Sequence, residues 1–369
     1  MARIIYFSRD YTPHDHRFLS ALAGTEHKVF YLRLEKRGHT LEDRPLPPQI
    51  ELISWKGGQA PAKLRHGLNL LSDLKRVLRQ VQPDLIHAGP IQRCALLTAL
   101  SGFKPLVSMS WGYDLIQDAR RNVVWRWATR YTLKRSAVLV GDSEIVRQLA
   151  IQHGMPPERI ITFPWGVDLE RYNVPKFERS NVDTFTLLST RGWEPIYGVD
   201  IIAKAFVRAA RQLKENYGPE LRLVMLGNGS QAGMLRRIFH EAGLLEQVTL
   251  PGQVSNADLP RYYQMADLYL SASHSDGSSI SLLEALACGL PALVSDIPGN
   301  REWVTPGETG WWFPDGDVNA LTQAILDAVA RRDRLTEMGR RARWLAELRA
   351  DWGKNFRELE KAYQLAVSC

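Results

Sequence analysis

The sequence predicts an α/β fold of two doubly wound, parallel-sheet domains facing one another across a cleft. Three observations carry this expectation. Short apolar runs of strand length alternate with longer segments of helical period, the pattern of parallel sheets covered on both faces. The alternation is interrupted once, by a polar stretch from Trp165 to Asp183 containing Gly166 and Pro175, and then begins again. The 369 residues are too many for one ordinary core and suit two domains of common size.

In the first half, strands are expected at Ile4–Phe7, Val29–Leu32, Ile50–Ile53, Leu85–His87, Leu106–Met109, Val138–Val140 and Ile160–Phe163. Helices are expected at Leu68–Val81, Ile91–Leu100, Val123–Lys134 and Glu144–His153, the last capped by Ser143 and ended by Gly154. The second half supplies strands at Thr184–Ser189, Leu221–Leu226, Val248–Leu250, Leu268–Leu270 and Ala292–Ser295, with helices between them. After Asp317 the chain turns wholly helical, through Val318–Ala330, Glu337–Leu348 and Trp352–Ala366. The expected domains are 1–165 together with 352–369, and 166–351. Open α/β sheets bind ligands outside the carboxyl ends of their strands, so the chemistry is sought in the loops there.

With 45% hydrophobic and 24% charged residues, the composition is that of a folded soluble protein. Ile4–Phe7 is too short for a signal peptide, and no window approaches the roughly 20 apolar residues of a spanning helix. Cys94, Cys288 and Cys369 are few and widely separated, which indicates neither a disulfide framework nor a zinc site and fits a reducing cytoplasm. Charge is uneven: residues 1–165 hold 24 Lys and Arg against 14 Asp and Glu, and residues 166–369 hold 23 against 26. The basic half carries no nucleic-acid-binding motif. Its densest part places Arg120, Arg121, Arg126, Arg130, Lys134 and Arg135 around Val123, Val124, Trp125 and Trp127. That segment reads equally as a peripheral contact with the inner face of a membrane and as a packed helix with a solvated basic face.

The strongest local signal runs from Ser275 through Asp276-Gly277-Ser278-Ser279-Ile280-Ser281 to Glu284 and on to Pro291, a strand end leading through small residues into a short helix. Free N–H groups at a helix start, together with its dipole, stabilise a diphosphate, and small residues let the anion approach the backbone. Asp276 and Glu284 bracket that start, and carboxylates are good acceptors for the paired hydroxyls of a sugar or a ribose.

This segment resembles the acidic-x7-Glu motif of the family 4 retaining glycosyltransferases, whose fold of two Rossmann-like domains is called GT-B. Also similar to that family are Thr190–Asp200, Leu226-Gly227-Asn228-Gly229, Pro251–Val254, Met265–Leu268, Asp296–Glu302 and Pro164–Asp168; Pro83–His87 and Trp111-Gly112-Tyr113-Asp114 resemble it weakly. The resemblance implies transfer of a sugar from a nucleotide sugar, with retention and without metal or cofactor, to a saccharide, lipid-linked or small-molecule acceptor. By the same resemblance Arg191 binds the donor diphosphate and Glu284 the ribose. Asp276 and the amides of Gly277, Ser278 and Ser279 take the sugar, Ile280 and Ser281 the phosphate, and Val254 borders the nucleobase. Gly227 and Asn228 belong to the same donor side, and the closing helix crosses back to the first domain.

Three positions depart from the family pattern: Tyr197 stands where a lysine is usual, Asp276 where a glutamate is, and Trp111 where a histidine is. They are what would favour a catalytically silent nucleotide-sugar-binding protein; a sugar epimerase of related two-domain fold is the other alternative. Gly227-Asn228-Gly229 with Gly233 reads better as a tight turn than as a dinucleotide fingerprint, because the last glycine comes one position late. His14, His16 and Arg17 follow the first strand and are expected in a loop at the cleft, with Trp111 and Asp114, on the acceptor side. His14 and His16 lack an evident third ligand, so no metal is expected there.

Overall fold

The computed structural model describes residues 1–36, 42–62, 66–174 and 183–368; Pro175 of the polar seam and Cys369 lie outside the described residues. The chain divides into two compact units, Met1–Phe163 with Phe356–Cys369, and Pro164–Asn355.

In the first unit, β1 (Arg3–Ser8), α1 (Pro13–Ala23), β2 (Lys28–Arg33), β3 (Glu51–Leu52), α2 (Gly67–Val81), β4 (Leu85–Ala88), α3 (Leu96–Ser101) and β5 (Leu106–Met109) follow one another. They lead into α4 (Tyr113–Ile116), α5 (Val123–Arg135), β6 (Val138–Gly141), α6 (Glu144–Gln152) and β7 (Ile160–Thr162). The strands form one parallel sheet in the order β3-β2-β1-β4-β5-β6-β7. Its central strands are buried along their length, as expected for continuous Val, Ile and Leu runs covered by helices on both faces.

The second unit repeats the plan with β8 (Thr184–Ser189), α7 (Val199–Glu215), β9 (Glu220–Leu226), α8 (Ala232–Ala242), β10 (Val248–Gly252), α9 (Leu259–Met265), β11 (Leu268–Ser271) and α10 (Ile280–Ala287). It continues through β12 (Ala292–Ser295), α11 (Pro298–Arg301), β13 (Gly310–Phe313), α12 (Val318–Ala330), α13 (Leu335–Arg349) and α14 (Trp352–Asn355). The six strands are parallel in the order β10-β9-β8-β11-β12-β13. The direction of winding reverses between β1 and β4 in one sheet and between β8 and β11 in the other. The strand ends on either side of such a reversal splay apart and leave room for a ligand.

Four segments differ from the sequence expectation. His14, His16 and Arg17 stand on α1, not in a loop. The helix starts at Pro13 because Thr12 and Asp15 form a capping box, the Thr12 hydroxyl accepting from the Asp15 N–H and the Asp15 carboxylate from the Thr12 N–H. The expected helix 91–100 opens with a π-helical turn over Ile91–Ala95 before α3. The short strand β13, with its Gly-Trp-Trp-Phe sequence, carries no alternation and escaped the sequence reading. The closing helix is broken at Phe356: Asn355 donates to the carbonyls of Pro164 and Arg349, at 2.7 and 2.8 Å, and so ends α14 in the second unit.

The chain then returns to the first unit as α15 (Arg357–Ser368), which buries Leu359, Ala362, Tyr363 and Ala366 against β4–β7. That spacing is one face of a helix. The Tyr363 hydroxyl and His87 Nδ1, on β4, share a buried hydrogen bond of 2.7 Å. Burial pushes the His87 imidazole down to about 3, so the ring is neutral at physiological pH. Tyr363→Phe keeps the ring and leaves His87 Nδ1 buried without its partner. The expected loss is about 1–3 kcal/mol of stability, read as a lowered chemical-denaturation midpoint at unchanged m; an unchanged midpoint would show that α15 is held by apolar packing alone.

Candidate functional site

The winding reversal of the second sheet brings together the residues that the sequence singled out. Arg191 follows β8 and the loop 272–279 follows β11. Arg191 Nη1 donates to the hydroxyls of Ser279 and Ser281 at 2.7 and 3.0 Å, and Nη2 to Asp276 Oδ2 at 2.6 Å. The side chains of Arg191 and Asp276 retain 11% and 19% of their exposure, so this pair lies where solvent screens it weakly. Behind it, the guanidinium carbon lies 4.2 Å from the Tyr197 ring centroid, and the ring holds the cation's plane. Tyr197 therefore packs against the cation that Arg191 already supplies. Burial opposes the charge on Arg191, but Asp276 and the surrounding tyrosines outweigh it and raise the guanidinium above its ordinary pKa. Burial raises the Asp276 carboxyl, against the opposing pull of Arg191.

Ser279 is the N-cap residue of α10, yet its side chain makes no capping bond; it accepts from Arg191 instead. The first turn of α10, which begins with Ile280 and Ser281, thus has amides unclaimed by the cap side chain, beside a cation. Ser278 is turned the other way and accepts from Trp303 Nε1 at 3.2 Å. Glu284, one turn further on, is only 7% exposed, and its Oε2 accepts from the Tyr263 hydroxyl at 2.8 Å. Because that hydroxyl has only one proton, its 2.8 Å contact with Thr190 Oγ1 is donated by the threonine, which links the end of β8 to Glu284 through Tyr263. Tyr269 and Ser281 share a further bond of 2.8 Å. Tyr197, Tyr263, Tyr269 and Trp303 all support the site; the sequence marked only Tyr197, as a departure from the family pattern. The tyrosines at 263 and 269 flank the quoted segment Met265–Leu268, and no spacing rule marks them.

Two glycines set the loops in place. A Cβ on Gly227, at φ +121°, would stand 2.6 Å from the Arg191 carbonyl oxygen. The Asn228 carbonyl accepts from the Trp193 N–H at 2.9 Å, so this turn carries the Arg191 loop. A Cβ on Gly299 would lie 2.4 and 2.5 Å from the carbonyl oxygens of Gly277 and Asp276. Val254, after β10, is half-buried against the core of the same unit.

At the strand ends of the first unit, the residues expected to face an acceptor are tied to their own unit. The rings of His14 and Trp111 lie 5.5 Å apart, and His16 Nδ1 is 2.7 Å from the Tyr11 hydroxyl. Arg17 is half-buried on α1. Asp114 is fully buried and accepts from the Ser110 hydroxyl and the Ile91 and Leu115 amides at 2.6, 2.9 and 3.0 Å, which locks the β4 and β5 loops together. Burial pushes its carboxyl up to about 6. Among the described residues no three His, Cys, Asp or Glu side chains are grouped as metal ligands, and no helix is long and apolar enough to cross a membrane.

Two family models match the chain in succession: Glycosyltransferase Family 4 over residues 14–171 and Glycosyl transferases group 1 over residues 178–344. The chain is similar to the D-inositol 3-phosphate glycosyltransferase of Gordonia bronchialis, 28% identical over 241 residues that make 62% of this chain and 52% of that protein. It therefore spans about half the length of that relative. It is also similar to the GDP-mannose-dependent alpha-(1-6)-phosphatidylinositol monomannoside mannosyltransferase of Mycolicibacterium smegmatis, 25% identical over 297 residues, 73% of either chain. In fold it matches the Anabaena protein HepE, solved in complex with UDP, with a TM-score of 0.78 over 98% of this chain and 99% of that one at 17% identity. The fold class is thus the two-domain α/β GT-B fold, each unit Rossmann-like, and the chain belongs to the family 4, group 1 glycosyltransferases.

Proposed function

We propose that the chain is a retaining, metal-independent glycosyltransferase that moves a hexose from a nucleotide sugar to a saccharide, lipid-linked or small-molecule acceptor. The observation that carries this reading is the Arg191 guanidinium, buried and oriented beside amides at the start of α10 that the cap side chain leaves unclaimed. A departing nucleoside diphosphate takes the electron pair of the broken glycosidic bond, and preorganised cations and amides aimed at that anion lower the barrier. In this reading Arg191 exchanges Asp276 for a phosphate oxygen when the donor binds. The freed carboxylate and the amides of Gly277, Ser278 and Ser279 then accept and donate to the sugar, while Ile280 and Ser281 take the phosphate. Glu284, oriented by Tyr263, holds the ribose, and Val254 borders the base next to the turn of Gly227 and Asn228. The first unit takes the acceptor, with His14, His16 and Arg17 on α1 and Trp111 and Asp114 after β5 shaping the strand ends. Similarity to relatives named for GDP-mannose and for inositol-bearing acceptors supports a sugar nucleotide and a phosphorylated or lipid acceptor. A cytoplasmic setting suits the few and widely separated cysteines, of which Cys94 and Cys288 are buried.

A thermal-shift panel of UDP-, GDP- and ADP-sugars tests the donor side, since a ligand at 100 times its dissociation constant stabilises the fold by about 2.7 kcal/mol. Labelled donors then distinguish transfer or hydrolysis from silent binding. Turnover is expected to survive EDTA, because the chain itself supplies the cation at the leaving group; loss on chelation, restored by magnesium or manganese, would overturn the proposed mechanism.

Glu284→Gln is expected to weaken nucleotide affinity by about 1.5–3 kcal/mol without unfolding the chain, as a charged acceptor becomes a neutral one. Titration with free nucleotide measures this, and equal affinities would return Glu284 to a purely structural role. Arg191→Ala should lower both donor affinity and turnover. Gly299→Ala touches no ligand in this reading but forces a methyl into the 276–277 backbone. It should cost nucleotide binding about tenfold or more through the displaced loop, at an overpacking cost of about 1–3 kcal/mol. Wild-type affinity in that variant would mean that the loop does not hold the donor.

A further inference from the structure

The exposed face of α5 plays no part in the site described above, and its residue pattern is specific. Val123, Trp127 and Tyr131 stand four apart and make one row along the helix; Arg126, Arg130 and Lys134 stand three positions further on and make the adjacent row. The six line one open groove of about 370 Å³. Val123 is 77% exposed and Trp127 52%, well beyond what packing demands of an aliphatic side chain and an indole. The Trp127 and Tyr131 rings stack at 5.3 Å, and Tyr131 packs on the core of the first unit, so the exposed indole is backed by a fixed ring. No Asp or Glu lies between Arg120 and Arg135. The opposite face is fixed in the first unit by buried Ala128, Thr129, Thr132 and Leu133 and by the Gln92 Nε2 bond to Thr129 Oγ1 at 2.8 Å. The tryptophan is therefore displayed by a helix that cannot roll to bury it.

We propose that this face of α5 seats the protein on an anionic lipid surface, with Val123 and Trp127 in the headgroup–acyl boundary and the Arg126–Arg130–Lys134 row on lipid phosphates. Apolar and aromatic side chains enter that boundary, and adjacent cations hold the helix against negative headgroups. The charge complementarity selects the occupant. A second copy of the chain would bring one cationic row against another, and a neutral apolar partner would leave three cations without counter-charge. The inference is independent of the donor reading, because lipid binding is measured without any sugar transfer.

The test is cosedimentation of the full chain with phosphatidylcholine vesicles, with and without phosphatidylglycerol, at low and high salt. The protein is expected to pellet with the phosphatidylglycerol vesicles and to be released by salt. Replacing Arg126, Arg130 and Lys134 together by Gln should weaken the partition by about 100-fold, at roughly a fivefold loss per cation. Trp127→Ser with Val123→Ser should weaken it in phosphatidylglycerol vesicles even at low salt. All five positions are on the surface, and equal thermal melting of the variants excludes misfolding. The proposal is overturned if the chain ignores phosphatidylglycerol, if either variant binds as the wild type does, or if single-stranded RNA, a soluble polyanion, displaces it from vesicles while the serine variant binds that RNA and the vesicles unchanged.

Discussion

A guanidinium withdrawn from water must find acceptors for its donors, and the carboxyl end of the second sheet is organised around meeting that demand for the two terminal nitrogens of Arg191, while its Nε stays buried without an acceptor. Asp276 answers the charge, Ser279 and Ser281 the remaining Nη1 donor directions, and Tyr197 covers one face. These partners come from the β8 loop, the β11 loop and the first turn of α10, so satisfying one side chain fixes three segments. Gly227 and Gly299 let neighbouring backbone close on those segments within distances that a Cβ would forbid. The outcome is a cation held in place before any ligand arrives, so that in the proposed reading only its Asp276 contact has to be exchanged for an anion.

The strand ends of the two units use their polar groups differently. In the second unit Ser279 gives up capping to serve Arg191, and amides at a helix start remain for a ligand. In the first unit the buried carboxylates serve the fold itself. Asp15 accepts from Thr12 and Tyr6, and Asp114 from Ser110, Ile91 and Leu115; burial raises both carboxyls to about 6. The rings of His14 and Trp111 lie 5.5 Å apart near these strand ends, and Arg17 is half-buried on α1. The Tyr197 ring stands where the family resemblance led a lysine to be expected, and it lies on the Arg191 guanidinium. It offers that cation a surface that orients it.

Most elements were legible because both sheets are parallel and doubly covered, so strands read as short continuous apolar runs: Thr184–Ser189 and Ala292–Ser295 occupy the expected residues. Where a signal was present but unread, it was local. Thr12, Pro13 and Asp15 spell the start of α1, whereas Gly310–Phe313 is too short and too uniform to declare itself a strand. Helix 352–366 has an uninterrupted period, and only the Asn355 bonds to Pro164 and Arg349 divide it between the units.

The sequence by itself determined the two sheets, the loop from Asp276 to Ser281, the acidic pair with Glu284 and the candidate cation Arg191, because strand period, small-residue loops and helix starts are properties of neighbours along the chain. It also marked the basic, tryptophan-bearing segment around α5, though not which side of it would be buried. The tertiary structure decided what lay beyond a helical turn or a strand. It put the Tyr197 ring on Arg191, ran Thr190 through Tyr263 to Glu284, turned Ser278 to Trp303, and exposed Trp127 while burying Leu133. Each of these contacts joins residues whose proximity is set by sheet order and helix packing. Periodicity names the face that a residue shares, but only the packed core fixes what that face meets.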